Sequence, residues 1–446
     1  MPITSYDVLI IGAGAAGLSA ASELARARCP ALLLEARLHI GGRVWSHREP
    51  GLPVPVELGA EFIHGRAHST FQVLSKAATA AVDSGGERWT VRDGKLEKAQ
   101  DLFSEIQEAM ARTRALDKKD LAFETFLERH LDRFLSVEAR MFARSLAEGF
   151  DAADLRRASA RAIVEEWSGG SSVQAPQFRP LGGYGPLLSS LAAELRGSSV
   201  ALQLNTTVRD VRWKRRSVEL EGTFLGQTFH ARARHAIVTL PLGVLQLPRS
   251  APGAVRFTPS LQDKRSALKG LAAGPVVKVL LRFRTAFWEK LKKGRYCDAA
   301  FFHVPDAAFP TFWTSLPVRT PLLVAWAAGP KAARFKGASA DRMIAEALQS
   351  LTALFGPGSH VERKLEGAWV HDWQGDPYAR GAYSYVTVSG DNAREALAAP
   401  LRQTLFFAGE AADTAGESGT VAGALQSGTR AAREVLASLK KRQEEL

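Results

Sequence analysis

The chain has 446 residues, 46% apolar and 23% charged, the balance of a folded globular protein, which excludes a disordered or low-complexity polypeptide. That length exceeds what one simple core organises, so two or three domains are expected. The net charge of +12 lies in scattered groups such as Lys214-Arg215-Arg216 with no nucleic-acid module beside them, and the two cysteines, Cys29 and Cys297, make neither a disulfide framework nor a metal set.

Residues 8–11 read as a fully apolar strand, 12–17 (GAGAAG) as a turn, 18–27 as an Ala-rich helix, and ALLLEAR as a second strand ending at Glu35. Gly12 permits the tight turn, Gly14 lets backbone approach a pyrophosphate, and Gly17 lets helix and strand pack closely. The N–H groups opening the helix attract phosphate, and a carboxylate at Glu35 is spaced to accept ribose hydroxyls. A glycine-rich turn alone is weak evidence. Between two strands, ahead of a helix and followed by Glu35, it reads as a dinucleotide cradle.

GGRV follows at residues 41–44. Gly41 and Gly42 leave the backbone open, and Arg43 offers a fork suited to phosphate. Alone this is a surface turn with a solvated arginine; so soon after Glu35 it encloses the pyrophosphate from a second side, which favours FAD over NAD. ELGAEFIHG spans residues 57–65, where Gly59 and Ala60 let backbone lie flat against a planar ring. His64 is the one group in this run whose unperturbed pKa lies near neutrality, although taken alone it reads more readily as a buried, hydrogen-bonded core histidine.

Residues 95–166 carry apolar positions at three- and four-residue spacing and read as helices. Strands return over 200–238, and 254–392 is mixed, with KVLLRF, LLVAWAAG and a helix at 340–355. Lys278 interrupts the apolar strand GPVVKVLLRF. It reads either as an edge-strand lysine facing water or as a lysine holding a water beside a redox centre. Trp373, Tyr378, Tyr383 and Tyr385 form an aromatic cluster, readable as core or as π-faces beside a cation or flat ring. The chain closes on a strand, LFFAGE, a glycine-rich loop and a helix from about Thr420, whose N-terminus would stabilise negative charge on a flavin pyrimidine ring.

Taken together, the ordered motifs DVLIIGAGAAGLSAA, LLLEAR…GGRV, ELGAEFIHG, LGGYGPLL, VTLPLGVL, KVLLRF…FW, DPYARGAYSY and FAGE…GTVAGAL resemble the FAD-dependent amine oxidases. That family comprises monoamine, polyamine and spermine oxidases and the flavin-dependent histone lysine demethylases. The resemblance implies an α/β fold, with a discontinuous Rossmann-like FAD-binding domain (residues 1–90, 200–253 and 393–446) and an inserted substrate domain of mixed sheet plus helices (91–199 and 254–392). It implies phosphate contacts at Gly12, Gly14, Ala16 and Gly17, with Gly42 and Arg43 nearby. Ribose falls to Glu35 with Ala36 and Arg37, and adenine to Val208. Flavin and ribityl contacts fall to Gly59, Ala60, Glu61 and Phe62, and to Gly409, Glu410, Thr420, Val421 and Ala424. Lys278 matches the lysine that binds a water at flavin N5; Trp373 and Tyr383 match aromatics lining the flavin, and His64 is the fourth candidate catalytic residue.

Family members with covalent flavin carry Cys before the tyrosine matching Tyr383; Ala382 stands there, so FAD is expected to be non-covalent. Thr420 stands where monoamine oxidases complete a cage with a second tyrosine, which is closer to polyamine oxidases and demethylases. GAEF replaces the GAMR-type motif of amino-acid oxidases. The expected reaction moves hydride from the carbon beside an amine nitrogen to flavin N5; the imine hydrolyses and O2 becomes H2O2. Asp413 and Glu417 are candidates for offsetting the basic surface around a polyamine. An L-amino-acid oxidase, a non-amine desaturase or porphyrinogen oxidase, and a non-enzymatic binding module remain alternatives. No nucleic-acid partner, metal or membrane anchor is expected, and a monomer or homodimer is. The first apolar run follows no basic leader and no run approaches the ~20 residues that span a bilayer, so a cytoplasmic location is expected.

Overall fold

The computed structural model describes residues 4–117, 119–168 and 175–443. Two large sheets organise them into an α/β fold. The first has strand Thr4–Ile11 at its centre, paired in parallel with Ala31–Leu34 on one side and Gln227–Val238 on the other. Val200–Gln203 extends it beyond Ala31–Leu34. Ser217–Phe224, Thr206–Lys214 and Arg256–Thr258 extend it beyond Gln227–Val238, and Leu405–Phe407 joins that same long strand in parallel.

Burial follows the layering. Val8, Leu9, Ile10 and Leu33 have no exposed surface, as expected where helices or loops cover both faces of a parallel sheet. In Gln227–Val238 the run ARARHAIV changes character midway. Ala231 and Ala233 are buried between exposed Arg232 and Arg234, after which His235 to Val238 are all buried. The second face of the sheet becomes covered at that point.

Helix Ala15–Arg26 rises from the first strand and crosses the final helix, Val421–Gln443. A Cβ on Gly17 would stand 1.9 Å from the Gly12 carbonyl oxygen, and one on Gly428 would stand 2.1 Å from that of Ala16. Both ends of the chain thus interlock through glycines where backbones meet.

The second sheet runs Leu365–Asp372, Val276–Phe283, Leu322–Ala328, Thr311–Trp313, Ala299–His303, Glu87–Arg92 and Lys95–Lys98. The hairpin Glu87–Arg92/Lys95–Lys98 therefore pairs with this sheet, and helices begin only at Phe103, later than the residue 95 that the spacing predicts. KLEK was absorbed into the helical pattern because a four-residue strand is too short for alternation to stand out. Helices Phe103–Ala111, Val137–Gly149 and Ala160–Ser168 build a separate core around Phe123, Phe126 and Trp167.

Val276–Phe283 is a central strand, so Lys278 is not on an edge: it pairs with Trp326 and His371 on its two sides. Alternation sends Val277, Val279, Leu281 and Phe283 into the core beneath helix Ala340–Phe355. Val276, Lys278 and Leu280 take the opposite face, toward the first sheet's loops.

Candidate active site

A cavity of about 2530 Å³ lies between the two sheets and reaches the helical part. Drug-sized pockets occupy roughly 300–1,000 Å³, so this one has room for a dinucleotide and a second molecule. Of the sequence-derived site residues, Gly12, Gly14, Ala16, Glu35, Ala36, Arg37, Gly42, Arg43 and Val208 wall one end. Gly59, Ala60, Glu61, Phe62, His64, Lys278, Trp373 and Tyr383 wall the middle, with Gly409, Glu410, Thr420, Val421 and Ala424. Gly17 is not a wall residue; its place is the helix–strand contact described above.

At the first end, Glu35 is buried, and its carboxylate accepts the N–H groups of Ala13 (2.8 Å) and Arg37 (2.9 Å). The Gly41 N–H donates to the Ala13 carbonyl, so the GGRV loop sits directly on the glycine turn. Arg37 reaches across the chain to Asp376 at 2.6 Å, beneath the Tyr378 ring. Burial works against charge at Asp376, yet His371 and Arg37 hold it down at about 2. Arg43 donates to Glu410 (2.8 Å) and to the Ala382 carbonyl, bolting GGRV to FAGE and DPYARGAYSY. Glu410 also accepts from Ser384; burial pushes its carboxyl up, but Arg43 and Arg394 hold it below the usual range.

These residues fit a bound adenine dinucleotide. A Cβ on Gly409, at φ +128°, would meet no atom within 4 Å and would project into open space along the cavity wall. The final helix opens beside it, with the Thr420 hydroxyl accepting the Gly423 N–H as an N-cap. Helix N-termini and open glycine backbone are the donor set a pyrophosphate and a flavin ring require.

In the middle, Lys278 is 1% exposed and donates to Glu61 Oε2 at 2.7 Å and to the Gly59 carbonyl at 3.2 Å. Glu61 also accepts from Arg179 (2.9 Å) and from the Trp313 indole N–H. Burial disfavours charge on Glu61 most strongly, but Lys278 and Arg179 together hold it below the usual carboxylate range. Nearby Glu57 accepts from Ser46 and the Tyr184 N–H without a direct cation, and burial pushes it up to about 7.

The aromatic walls are fixed by their polar ends. Trp373 donates its indole N–H to the Leu58 carbonyl at 2.9 Å, and Tyr383 donates its hydroxyl to the Phe150 carbonyl at 2.6 Å. His64 stands edge-on to Phe150 with ring centroids 5.3 Å apart. Burial pushes its imidazole down to about 4, and Nδ1 has no hydrogen-bond partner among the described residues. Asp413 is occupied in its own loop, accepting from Ala415 and Glu417, whereas Glu417 lines the cavity.

Sequence reasoning missed Arg179, Trp313, Asp376 and Arg394. Only Asp376 carried a local signal, as the first residue of DPYARGAYSY; the others act from distant segments.

Comparison with known proteins agrees with this geometry. The family model for flavin containing amine oxidoreductases matches residues 15–436. The human lysine-specific histone demethylase 2 is 27% identical over 97% of the chain, but the chain spans only 53% of that protein's length. Polyamine oxidase 5 of Oryza sativa is 27% identical over 96% of this chain and 87% of its own. Among solved structures, wild-type putrescine oxidase bound to putrescine superposes with a TM-score of 0.81 at 21% identity, covering 98% of this chain and all of that one. Cyclohexylamine oxidase from Brevibacterium oxydans IH-35A gives 0.78 at 20% identity, covering 98% and 100%. At these identities the two structures establish the fold alone.

Proposed function

Because the chain belongs to the flavin containing amine oxidoreductase family, we propose that it is an oxidase that uses non-covalent FAD to oxidise the carbon beside an amine nitrogen. The carrying observation is one continuous cavity, joining the glycine turn and Glu35 at one end to Lys278, Trp373 and Tyr383 in the middle. When bound, the flavin supplies a two-electron acceptor that takes hydride from that carbon and passes the electrons to O2, giving H2O2. Glu35, Arg43, Glu410 and the N-terminus of Val421–Gln443 would hold it. Ala382, without a thiol, is consistent with non-covalent binding.

The chain's own groups have separable tasks. Tyr383 and Trp373 present ring faces whose angles are set by their bonds to the Phe150 and Leu58 carbonyls, so the amine is aligned without a direct ion pair. The buried wall favours the neutral amine, whose lone pair assists loss of hydride from the adjacent carbon. His64, whose ring lines the cavity, stays unprotonated through neutral pH and so adds no positive charge beside the amine. Lys278 has three N–H donors; two are engaged by Glu61 and Gly59, leaving one for a water in the cavity.

Anaerobic mixing with monoamines, diamines, N-acetylated polyamines and amino acids tests the reading. Bleaching of the flavin by amines, with the aldehyde and H2O2 formed in air, is expected. A yellow protein that no amine bleaches, or one bleached only by amino acids, would overturn it. Lys278→Met is expected to retain FAD and to slow one flavin half-reaction about 10²–10⁴-fold, the range of a lost proton-handling group, measured by stopped flow.

A further inference from the structure

The second sheet turns one face to the cavity, and strand register sets out what that face carries. Leu280 pairs with Val324, Val324 with Trp313, Trp313 with Phe301, and Phe301 with Arg88. The neighbouring row runs from Lys278 through Trp326, Thr311 and His303 to Thr90. Adjacent strands lie about 4.8 Å apart, so four spacings put the strand of Arg88 roughly 19 Å from that of Lys278. An aromatic patch fills the interval. Lys278 Nζ lies 5.5 Å from the Trp313 ring, Trp313 lies 6.3 Å from Phe301, and the Arg88 guanidinium lies 5.5 Å from Phe301. Phe62 packs against both rings. Trp89, next to Arg88, turns to the opposite face and is buried in the core. Arg88, Phe301, Phe62, Trp313 and Lys278 all line the cavity.

Arg88 has unused donors. Among the described residues no acceptor lies within hydrogen-bond distance of its guanidinium, which has only the Phe301 ring and the more distant charge of Asp101. Burial disfavours its charge, and Asp101 offsets that only in part. The Asp101 carboxylate is itself occupied, accepting the N–H groups of Phe103 and Ser104 and the Ser104 hydroxyl where helix Phe103–Ala111 begins. Lys98 and Lys331, which line the same cavity, are engaged: Lys98 pairs with Glu87 at 2.7 Å, and Lys331 donates to the carbonyls of Pro305 and Ala307. His303, pushed down to about 4 by burial and then by Arg88, adds no charge. Helix Val137–Gly149 presents Val137, Met141, Phe142 and Leu146 to this cavity, and Val137 and Met141 are 65% and 48% exposed. Four-residue spacing sets them in pairs along one helix face. Large apolar side chains left open beside a cavity suit an apolar ligand surface.

We propose that Arg88 binds a carboxylate at the far end of the substrate, so that the preferred substrates are amines joined to a carboxylate through an apolar chain. The inference rests on the amine-oxidase reading and deepens it. The nitrogen lies at Tyr383 and Trp373. Tyr383 packs with Trp326 against Val276 and Ala328, on the same sheet face, and Trp326 lies 5.5 Å from Trp313. From there the chain crosses the Trp313 and Phe301 rings, and the carboxylate takes parallel N–H bonds from the Arg88 fork. A cation whose charge burial disfavours is stabilised by an anion that enters with the ligand. Such a substrate reacts as an amine, because its carboxylate is remote from the carbon oxidised, whereas that of an α-amino acid adjoins it.

The test uses FAD-loaded protein and probes that cannot lose hydride: ω-aminoalkanoates whose nitrogen-bearing carbon is fully substituted, each beside its methyl ester. A series of chain lengths is titrated by calorimetry and by flavin absorbance. In wild type the carboxylate is expected to bind about 10–100-fold more tightly than its ester at the best length, the range of a charge-assisted hydrogen bond. Arg88→Met is expected to lower the carboxylate-to-ester ratio by a similar factor, and Arg88→Gln carries the test if Arg88→Met does not fold. A wild-type ratio near one overturns the subsite. So does a ratio within about twofold of wild type in the folded variant, since a merely structural role weakens both probes equally. If the ratio falls but no amine bleaches the flavin, the subsite stands and the oxidase reading falls. If amines bleach it and the ratio holds, the subsite alone falls.

Discussion

Lys278 stands on a central strand among apolar neighbours, where Glu61 and the Gly59 carbonyl accept its N–H groups. Glu61 in turn faces a second cation, Arg179. Glu61→Gln would leave two buried cations sharing a neutral amide, and about 3–5 kcal/mol of destabilisation is expected, read from denaturant midpoints. The oddness of Lys278 and the smallness of Gly59 and Ala60 were legible in the sequence. The partner Arg179 was not, because ion pairing across distant segments leaves no local pattern. Glu57 gives a pH signature. Its folded value, about 7, lies above the ordinary 4.5. Its contribution to stability is therefore fully present below pH 4.5 and is lost as pH rises through 7. Thermal melts between pH 4.5 and 8 are expected to show this decline in wild type, at most about 3 kcal/mol, and a flatter profile in Glu57→Gln.

At the scale of elements, the crossing of the first and last helices depends on Gly428 against the Ala16 carbonyl. Gly428→Val would force the helices apart, and a loss of about 1–3 kcal/mol is expected, with weaker FAD retention on gel filtration. A melting temperature and flavin content equal to wild type would refute the claim. Strand–turn–helix at the start of the chain was readable because each part has its own period and Gly17 has a packing reason. Gly428 was not, because its partner lies at the opposite end of the sequence. Lys95–Lys98 was read as helical for a different reason: it pairs with Glu87–Arg92, which Ala299–His303 holds in the sheet, and those partners decide its conformation more than its own residues do.

For the whole molecule, two sheets with separate cores face each other across the cavity, and the residues proposed to hold FAD come from both. A ligand that binds only this closed arrangement stabilises it by mass action. Stripping the flavin is therefore expected to lower the melting temperature, and adding FAD back at about 100 times its Kd to restore about 2.7 kcal/mol. An apoprotein melting with the holoprotein would show that the cavity forms without regard to its contents. The α/β class was legible because motifs at both ends of the chain required one another.

The long strand Gln227–Val238 receives its parallel neighbour Leu405–Phe407 only from near the end of the chain. During synthesis, Ala236–Val238 therefore leave the ribosome on the order of 10–30 s before the segment that pairs with them. Through that interval a row of backbone donors and acceptors is left open beside apolar side chains, a surface that invites a chaperone or a neighbouring nascent chain. Yield in a cell is then governed by translation speed and holdase supply as much as by the strength of the finished fold.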